Sequence, residues 1–404
     1  MRVLVLSSVF PSERQPTLGV FVRERVRRVA RRCEVVVVAP IPWFPLNRLI
    51  RGARVAGVAP VESQAGLTVH HPPFFCVPRY GKWCDGAFEA ASLVPFLARL
   101  RREFPFDLID AHFAYPDGVA AAILGRLFDR PVVITLRGSI VRLAAYPLHR
   151  PQIRRALLSA RRVLSVSESL AGVAAAIGIP REKIRVVPNG ADTERFFPRP
   201  KGEARAALGL PADRPTLVSV GGINEGKGHH RIAALLPELT RHHPDLLYVI
   251  VGGHRPGDST RPLIERLVRR HGLEAHVRLA GERPHAEIPL WLAAADVVCL
   301  ATRSEGWANV LLEALACGRP VVTTRVGGNP EIVAGERLGL LVPPGDDAAF
   351  ARAILEALAR PWDGEAMVGW ARAHSWDAAA ARVVEEFEQV LAAPAAPLLV
   401  QGSR

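Results

Sequence analysis

The sequence predicts an α/β protein built from two doubly wound parallel sheets, and three observations carry that reading. Short apolar runs rich in β-branched residues alternate with helical patterns through the first half of the chain. The same alternation restarts near Thr216. A proline-rich joint, Arg195-Phe-Phe-Pro-Arg-Pro200, lies between the two halves, and 404 residues are enough for two separate cores.

In the first half the strand patterns are Arg2–Ser8, Glu34–Ala39, Leu67–His71, Asp107–Ala111, Pro131–Leu136, Val163–Ser167 and Ile184–Pro188. Helical patterns fall between them at Phe21–Arg32, Gly86–Arg102, Gly118–Phe128 and Ile153–Ala160. The second half repeats the alternation with strands at Thr216–Gly221, Leu246–Val251, Val277–Ala280, Asp296–Ala301, Pro320–Thr324 and Leu338–Val342. Helical patterns over Asp346–Ala359, Gly364–Ala373 and Trp376–Leu391 follow, then a tail rich in Ala and Pro.

Composition narrows the class. With 49% hydrophobic and 23% charged residues the chain reads as a soluble globular protein. Cys33, Cys76, Cys84, Cys299 and Cys317 show no metal-ligand spacing and read as reduced residues of a cytoplasmic protein. The start, MRVLVLSSVFP, reads as a first strand and not a signal peptide, and no run of about 18 apolar residues predicts a spanning helix. Net charge is +13, and residues 1–190 hold 28 Lys+Arg against 13 Asp+Glu, so they carry +15 and the remainder −2. Such asymmetry points to an anionic partner for one domain, either a membrane surface or nucleic acid.

The stretch from Cys299 to Glu331 holds the densest chemistry. A buried strand breaks at Ser304-Glu305-Gly306, a helix runs from about Ala308 to Cys317, and Gly318 and Pro320 end it before a second strand. In an open parallel sheet, ligands sit beyond the carboxyl ends of the strands, where a helix start offers free N–H groups. Glu305 and Glu313 flank that start, and carboxylates accept hydrogen bonds from sugar hydroxyls. Further back, Val220-Gly-Gly-Ile-Asn-Glu-Gly-Lys-Gly228 joins a strand to a helix as a phosphate cradle, with Lys227 as its cation and Gly221 and Gly222 at its first turn. Its spacing is not that of a Walker motif. Gly19 stands between the first strand and first helix, His112 at the end of another strand, and Arg137 in Thr135-Leu-Arg-Gly-Ser139 after a third.

SEGWANVLLEALACGRPVVTTRVGGNPE, with the glycine–lysine loop, resembles the donor-site signature of the family-4 retaining glycosyltransferases of the GT-B fold. The resemblance implies two Rossmann-like domains facing a cleft, with a C-terminal helix crossing back to the N-terminal domain. Residues 1–195 are then the acceptor-side domain, 196–375 the nucleotide-sugar domain, and 376–404 the returning helix and tail. It implies catalytic roles for His112, Lys227 and Glu305. Donor contacts are implied for Gly19, Arg137, Gly221, Gly222, Lys227, Gly306, Trp307, Ala308, Asn309, Val310 and Glu313. Glu305 is expected to hold the transferred sugar and Glu313 the ribose. Relatives often carry Gly-Arg where this chain has Gly221-Gly222, so one cation is missing there; Arg283 and Arg137 are candidates to replace it. No D-x-D occurs, so nothing nominates a metal, and no cofactor is expected beyond the nucleotide-diphosphate sugar itself.

The activity implied is transfer of a hexose, with retention, to a hydroxyl of a glycan acceptor in cell-surface polysaccharide or glycolipid synthesis. The rivals are a sugar-nucleotide epimerase or phosphorylase of the same fold, and a nucleic-acid-binding protein. The last has no reader motif, and 6% aromatics offer few stacking platforms, so no nucleic-acid partner is expected. An anionic membrane at the cytoplasmic face and a lipid-linked acceptor remain as expected partners. Two features motivate them: the arginine-rich helix pattern after Gly19, read with its arginines outward, and a loop with Trp43, Phe44, Leu46, Leu49 and Ile50 beside Arg48, Arg51 and Arg54.

Overall fold

The computed structural model describes residues 1–45, 57–78, 81–254 and 257–393. Leu46, Arg48, Leu49, Ile50, Arg51 and Arg54 of the expected membrane loop, and the tail beyond Ala393, lie outside the described residues. The chain divides into two compact units. Unit 1 comprises Met1–Ser165, Ala171–Val187 and the chain from Ala380; unit 2 comprises Val166–Leu170 and Pro188–Ala379.

The strands of unit 1 are β1 (Arg2–Leu6), β2 (Glu34–Val38), β3 (Ile41–Trp43), β4 (Val61–Gln64), β5 (Leu67–His70), β6 (Pro73–Phe75), β7 (Leu108–His112), β8 (Val132–Leu136), β9 (Arg162–Ser165) and β10 (Ile184–Val186). Between them run α1 (Val20–Val29), α2 (Asp85–Glu103), α3 (Asp117–Phe128), α4 (Ser139–Leu143), α5 (Arg150–Ser159) and α6 (Glu168–Ala176). Among the described residues one eight-stranded sheet has the order β10-β9-β8-β7-β1-β2-β5-β4, parallel except where β4 pairs with β5. The chain steps outward from β1 to β2 and β5, then returns to place β7 on the other side of β1. That reversal opens the crevice where open α/β sheets take ligands.

Unit 2 repeats the design with β11 (Thr216–Val220), β12 (Leu247–Val251), β13 (Val277–Gly281), β14 (Val297–Leu300), β15 (Val321–Thr324) and β16 (Gly339–Val342). Its helices are α7 (Lys201–Leu208), α8 (His229–His242), α9 (Arg261–Arg270), α10 (Ile288–Ala293), α11 (Asn309–Ala316), α12 (Asn329–Ile332), α13 (Asp347–Ala359) and α14 (Gly364–Ala373); α15 (Trp376–Ala392) closes the chain. The sheet order is β13-β12-β11-β14-β15-β16, so the reversal falls between β11 and β14. Both sheets are Rossmann-like. Leu217, Tyr248, Ile250, Val297 and Cys299 of the second sheet pack against Ile232 and Leu236 of α8 and Phe350 and Ile354 of α13.

In unit 1, Val3 and Val5 of β1 share a core with Val22, Val26 and Val29 of α1 and with Val383, Phe387 and Val390 of α15. The valine stripe of α1 thus packs on its own sheet. The arginines of α1 do not all face outward, however: Arg25 and Arg28 are buried. Glu24, buried one turn before Arg28, pairs with it at 2.9 Å and with Arg27 at 3.2 Å. An i,i+4 carboxylate lets a helix bury an arginine that a solvated-face reading puts outside.

Candidate functional site

At the β1/β7 reversal of unit 1, Gly19, His112 and Arg137 gather because each follows a strand that ends there. Gly19 caps α1 with φ 71°, and a Cβ on it would lie 2.3 Å from the carbonyl oxygen of Val9. The close approach of the chain to itself is therefore sufficient to require glycine. His112 ends β7, two residues after Asp110, and alternate strand residues share a face. Its Nε2 lies 3.2 Å from Asp110 Oδ2, while Arg137 donates to Nδ1 at 3.0 Å. A guanidinium has only hydrogens to give, so Nδ1 accepts and Nε2–H donates to Asp110. Burial pushes the imidazole down to about 4, against the pull of Asp110, so the ring is neutral.

Charge continues beneath this histidine. Burial alone would raise the Asp110 carboxyl, yet His112, Arg25 and Arg137 together hold it below its usual range. Arg25, reaching in from α1, has Nη1 3.5 Å from Thr135 Oγ1, and burial pushes its guanidinium down to about 10. Arg137 also lies 4.8 Å over the ring of Phe21, which meets Phe113 edge-on. Phe113 itself has φ 76°, a strained conformation for a bulky residue that costs about 1–3 kcal/mol. The result is a buried cluster of two guanidinium groups, Arg25 and Arg137, with the Asp110 carboxylate and the neutral His112, whose ring nitrogens are both engaged. Both ring nitrogens of His112 are thus bonded within unit 1 itself.

At the β11/β14 reversal of unit 2 the arrangement is looser. Lys227 Nζ sits 2.5 Å from Glu305 Oε1, and both side chains keep some exposure to solvent. The Thr302 hydroxyl lies 2.8 Å from the Gly226 carbonyl and 3.1 Å from the same carboxylate oxygen, which ties the two loops together. Gly221 and Gly222 begin the first loop, and the backbone N–H of Lys227 donates to Asn224 Oδ1 at 3.1 Å. Gly306, Trp307 and Ala308 lead into α11, and Asn309 and Val310 are its first residues. No side chain caps that helix, which leaves N–H groups of its first turn for a ligand. Behind the loop, Gly327 has φ 53° and a Cβ on it would fall 1.6 Å from the Glu305 carbonyl oxygen, so only glycine lets the post-β15 turn support this peptide.

Glu313, on α11, faces a partner absent from the sequence-based expectation. Its Oε1 is 3.7 Å from His285 Nε2, and Arg195 donates to His285 Nδ1 at 2.7 Å. The hydrogen of that ring is thereby fixed on Nε2, toward Glu313. Arg283, a candidate replacement cation, donates its Nε–H to the Ala280 carbonyl at 3.0 Å and leans on Trp291. Glu331, just past the signature stretch, accepts from the backbone N–H groups of Glu168 and Ser169 at 2.9 and 3.4 Å; all three belong to unit 2. Of these neighbours only Asp110 was legible in advance, from its i,i+2 relation to His112. His285 and Arg195 sit far from Glu313 in sequence. Among the described residues no group of three or more His, Cys, Asp or Glu side chains is placed to hold a metal, and all five cysteines are free. No described helix is long and apolar enough to cross a membrane.

Solved structures with this fold include sucrose-phosphate synthase from Thermosynechococcus elongatus, with a TM-score of 0.80 and 23% identity over 97% of this chain and 99% of that one. An Anabaena protein crystallised with UDP gives a TM-score of 0.74 and 20% identity over 96% of this chain and all of its own. The two Rossmann-like units have the GT-B fold. The sequence pattern described as Glycosyltransferase Family 4 matches residues 18–195, and that of Glycosyl transferases group 1 matches residues 200–375. A Bacillus subtilis protein described as a teichuronic acid biosynthesis glycosyltransferase is 33% identical over 88% of each chain. A GDP-mannose-dependent phosphatidylinositol monomannoside mannosyltransferase of Mycolicibacterium smegmatis is 30% identical over 90% of this chain and 91% of its own. The chain belongs to family 4 of the glycosyltransferases, and it is a glycosyltransferase.

Proposed function

We propose that the protein transfers a hexose with retention, without a metal, from a nucleotide-diphosphate sugar to a lipid-linked glycan at the cytoplasmic face of the membrane, in cell-surface polysaccharide or glycolipid synthesis. The observation that carries the reading is the Lys227–Glu305 pair at 2.5 Å beside the uncapped start of α11. Each partner of that pair has a better use once a donor arrives. Lys227 turns to the diphosphate, whose charge grows as the glycosidic bond breaks, and Glu305 accepts from hydroxyls of the transferred sugar. N–H groups of Gly306 to Val310 supply the rest of the cradle, and Glu313, held by His285, accepts from the ribose. Gly221 and Gly222 let the diphosphate approach the backbone of the first loop. The acceptor hydroxyl attacks the anomeric carbon on the face the phosphate leaves, the bond to the phosphate oxygen breaks, and the hydroxyl proton passes to that oxygen.

In unit 1, Gly19 and Arg137 are the residues that the family resemblance assigns to the donor. A contact from His112 to the sugar requires Arg137 to release Nδ1 as it turns to the incoming anion. The names of the relatives support the acceptor class, since one is described for teichuronic acid and another for a phosphatidylinositol mannoside.

A thermal-shift panel of nucleotide sugars tests the reading, because a ligand at 100 times its Kd stabilises by about 2.7 kcal/mol. The stabilising donor should then release nucleoside diphosphate only when a glycan acceptor is added, and the product should keep the donor's anomeric configuration by NMR. Nucleotide release without acceptor, or an inverted product, overturns it.

A further inference from the structure

We propose that the groove between α3 and α5 of unit 1 is the surface that docks on an anionic lipid bilayer, a placement that rests on the membrane reading above. The groove has a volume of about 340 Å³ and is lined by Val119, Ile123 and Arg126 of α3 and by Gln152, Arg155 and Ala156 of α5. Val119, Ile123 and Arg126 follow one another at four and three residues, and Arg155 and Ala156 stand three and four residues after Gln152, so each helix presents one face. Two arginines are the only charged side chains of its described lining, and no carboxylate accompanies them. The surrounding sequence extends the pattern: between Gly138 and Val163 there are six arginines and no Asp or Glu. By contrast Arg25 and Arg28 of α1, expected to face an anionic surface, are buried.

The apolar side chains at the rim are unusually open. Ile123 is 43% exposed, Trp83 45%, Leu148 56%, and Leu127, one turn beyond Ile123, 59%. The Gln152 side-chain amide donates to the carbonyl of Trp83 at 2.9 Å and to that of Leu148 at 2.7 Å, which fixes both residues beside the groove. Clustered exposed apolar side chains on a globular domain mark a surface that meets something apolar. A tryptophan at the rim with an exposed arginine on each wall of an apolar groove is the pattern of a bilayer interface, where rings sit at headgroup level and guanidinium groups reach phosphates. The floor, Val119 and Ala156, offers aliphatic packing and no aromatic platform for bases, which disfavours nucleic acid.

Co-sedimentation of the full chain with vesicles decides it. The wild type should bind phosphatidylglycerol–phosphatidylethanolamine vesicles and not phosphatidylcholine vesicles, with binding lost at high salt. Each arginine near an anionic leaflet contributes about fivefold to binding, so the double variant Arg126→Gln/Arg155→Gln should lose about 25-fold. Ile123→Ser/Leu148→Ser should also weaken binding, and lowering the salt should not restore it. The thermal shift with the nucleotide sugar should stay unchanged in both variants, which also reports that they fold. If both bind vesicles like the wild type, this surface is not the contact; loss of binding in Arg48→Glu/Arg51→Glu/Arg54→Glu in the same experiment would then keep the membrane reading and remove this one. Wild type that binds no anionic vesicle at any salt overturns both, and tighter binding to duplex DNA or to an acidic polypeptide than to vesicles overturns the groove's assignment to lipid.

Discussion

The two switch points of this enzyme are built on opposite principles. In unit 1, Arg25, Asp110, His112 and Arg137 are buried together, with His112 bonded to both Asp110 and Arg137, so the charges are fixed before any substrate arrives. In unit 2, Lys227 and Glu305 hold each other across two loops within reach of solvent, and either can exchange its partner for a ligand group. The difference teaches where rigidity is useful. A buried array costs several kcal/mol of desolvation per ion and cannot rearrange cheaply, whereas a part-exposed pair gains little from its own contact and gives it up easily.

The sharpest way to break the contrast is to remove the central carboxylate of the buried cluster. Asp110→Ala leaves Arg25 and Arg137 without their shared anion and should cost about 3–5 kcal/mol of unfolding free energy. Urea denaturation measures this, and a loss under about 1 kcal/mol would mean that the cluster is not a coupled unit. Lys227→Ala is the counterpart in unit 2. It should leave stability within about 1 kcal/mol yet remove about 2–4 kcal/mol of transition-state stabilisation from kcat/KM. On the same loops, Glu305→Ala should lower kcat more than it weakens nucleotide binding, and Glu313→Ala should do the reverse; the opposite partition would exchange the roles of the two carboxylates.

A smaller effect sharpens the comparison through pH. The folded state holds His112 down to about 4, against about 6.5 for an unperturbed imidazole. Between these values the unfolded chain binds a proton that the folded one refuses. Stability is therefore full above pH 6.5 and falls as pH drops toward 4, by about 2 kcal/mol at pH 5. His112→Asn should flatten that part of the stability curve, and an unchanged slope would mean that the ring is charged in the fold. The smallest effect is expected from chelation: EDTA should leave turnover intact, and loss with rescue by Mg²⁺ or Mn²⁺ would require a metal beside the diphosphate.

Local patterns in the chain specify the alternation of elements, and through it which residues stand at strand ends. Short continuous apolar runs and period-3.6 stripes are local, so β1, β7, β11 and β14 and the loops that carry Gly19, His112, Lys227 and Glu305 were legible before any fold was known. The i,i+2 relation of Asp110 to His112 was legible for the same reason. The short strands β3 and β6 were not, because each contains a proline and depends on its neighbour for pairing. The electrostatics follow from the three-dimensional arrangement. That Arg25 and Arg28 lie inside, that both ring nitrogens of His112 are engaged, and that His285 and Arg195 stand behind Glu313 all depend on side chains brought together from distant strands and helices. A charge is buried or solvated according to its neighbours in space, and no local pattern records them.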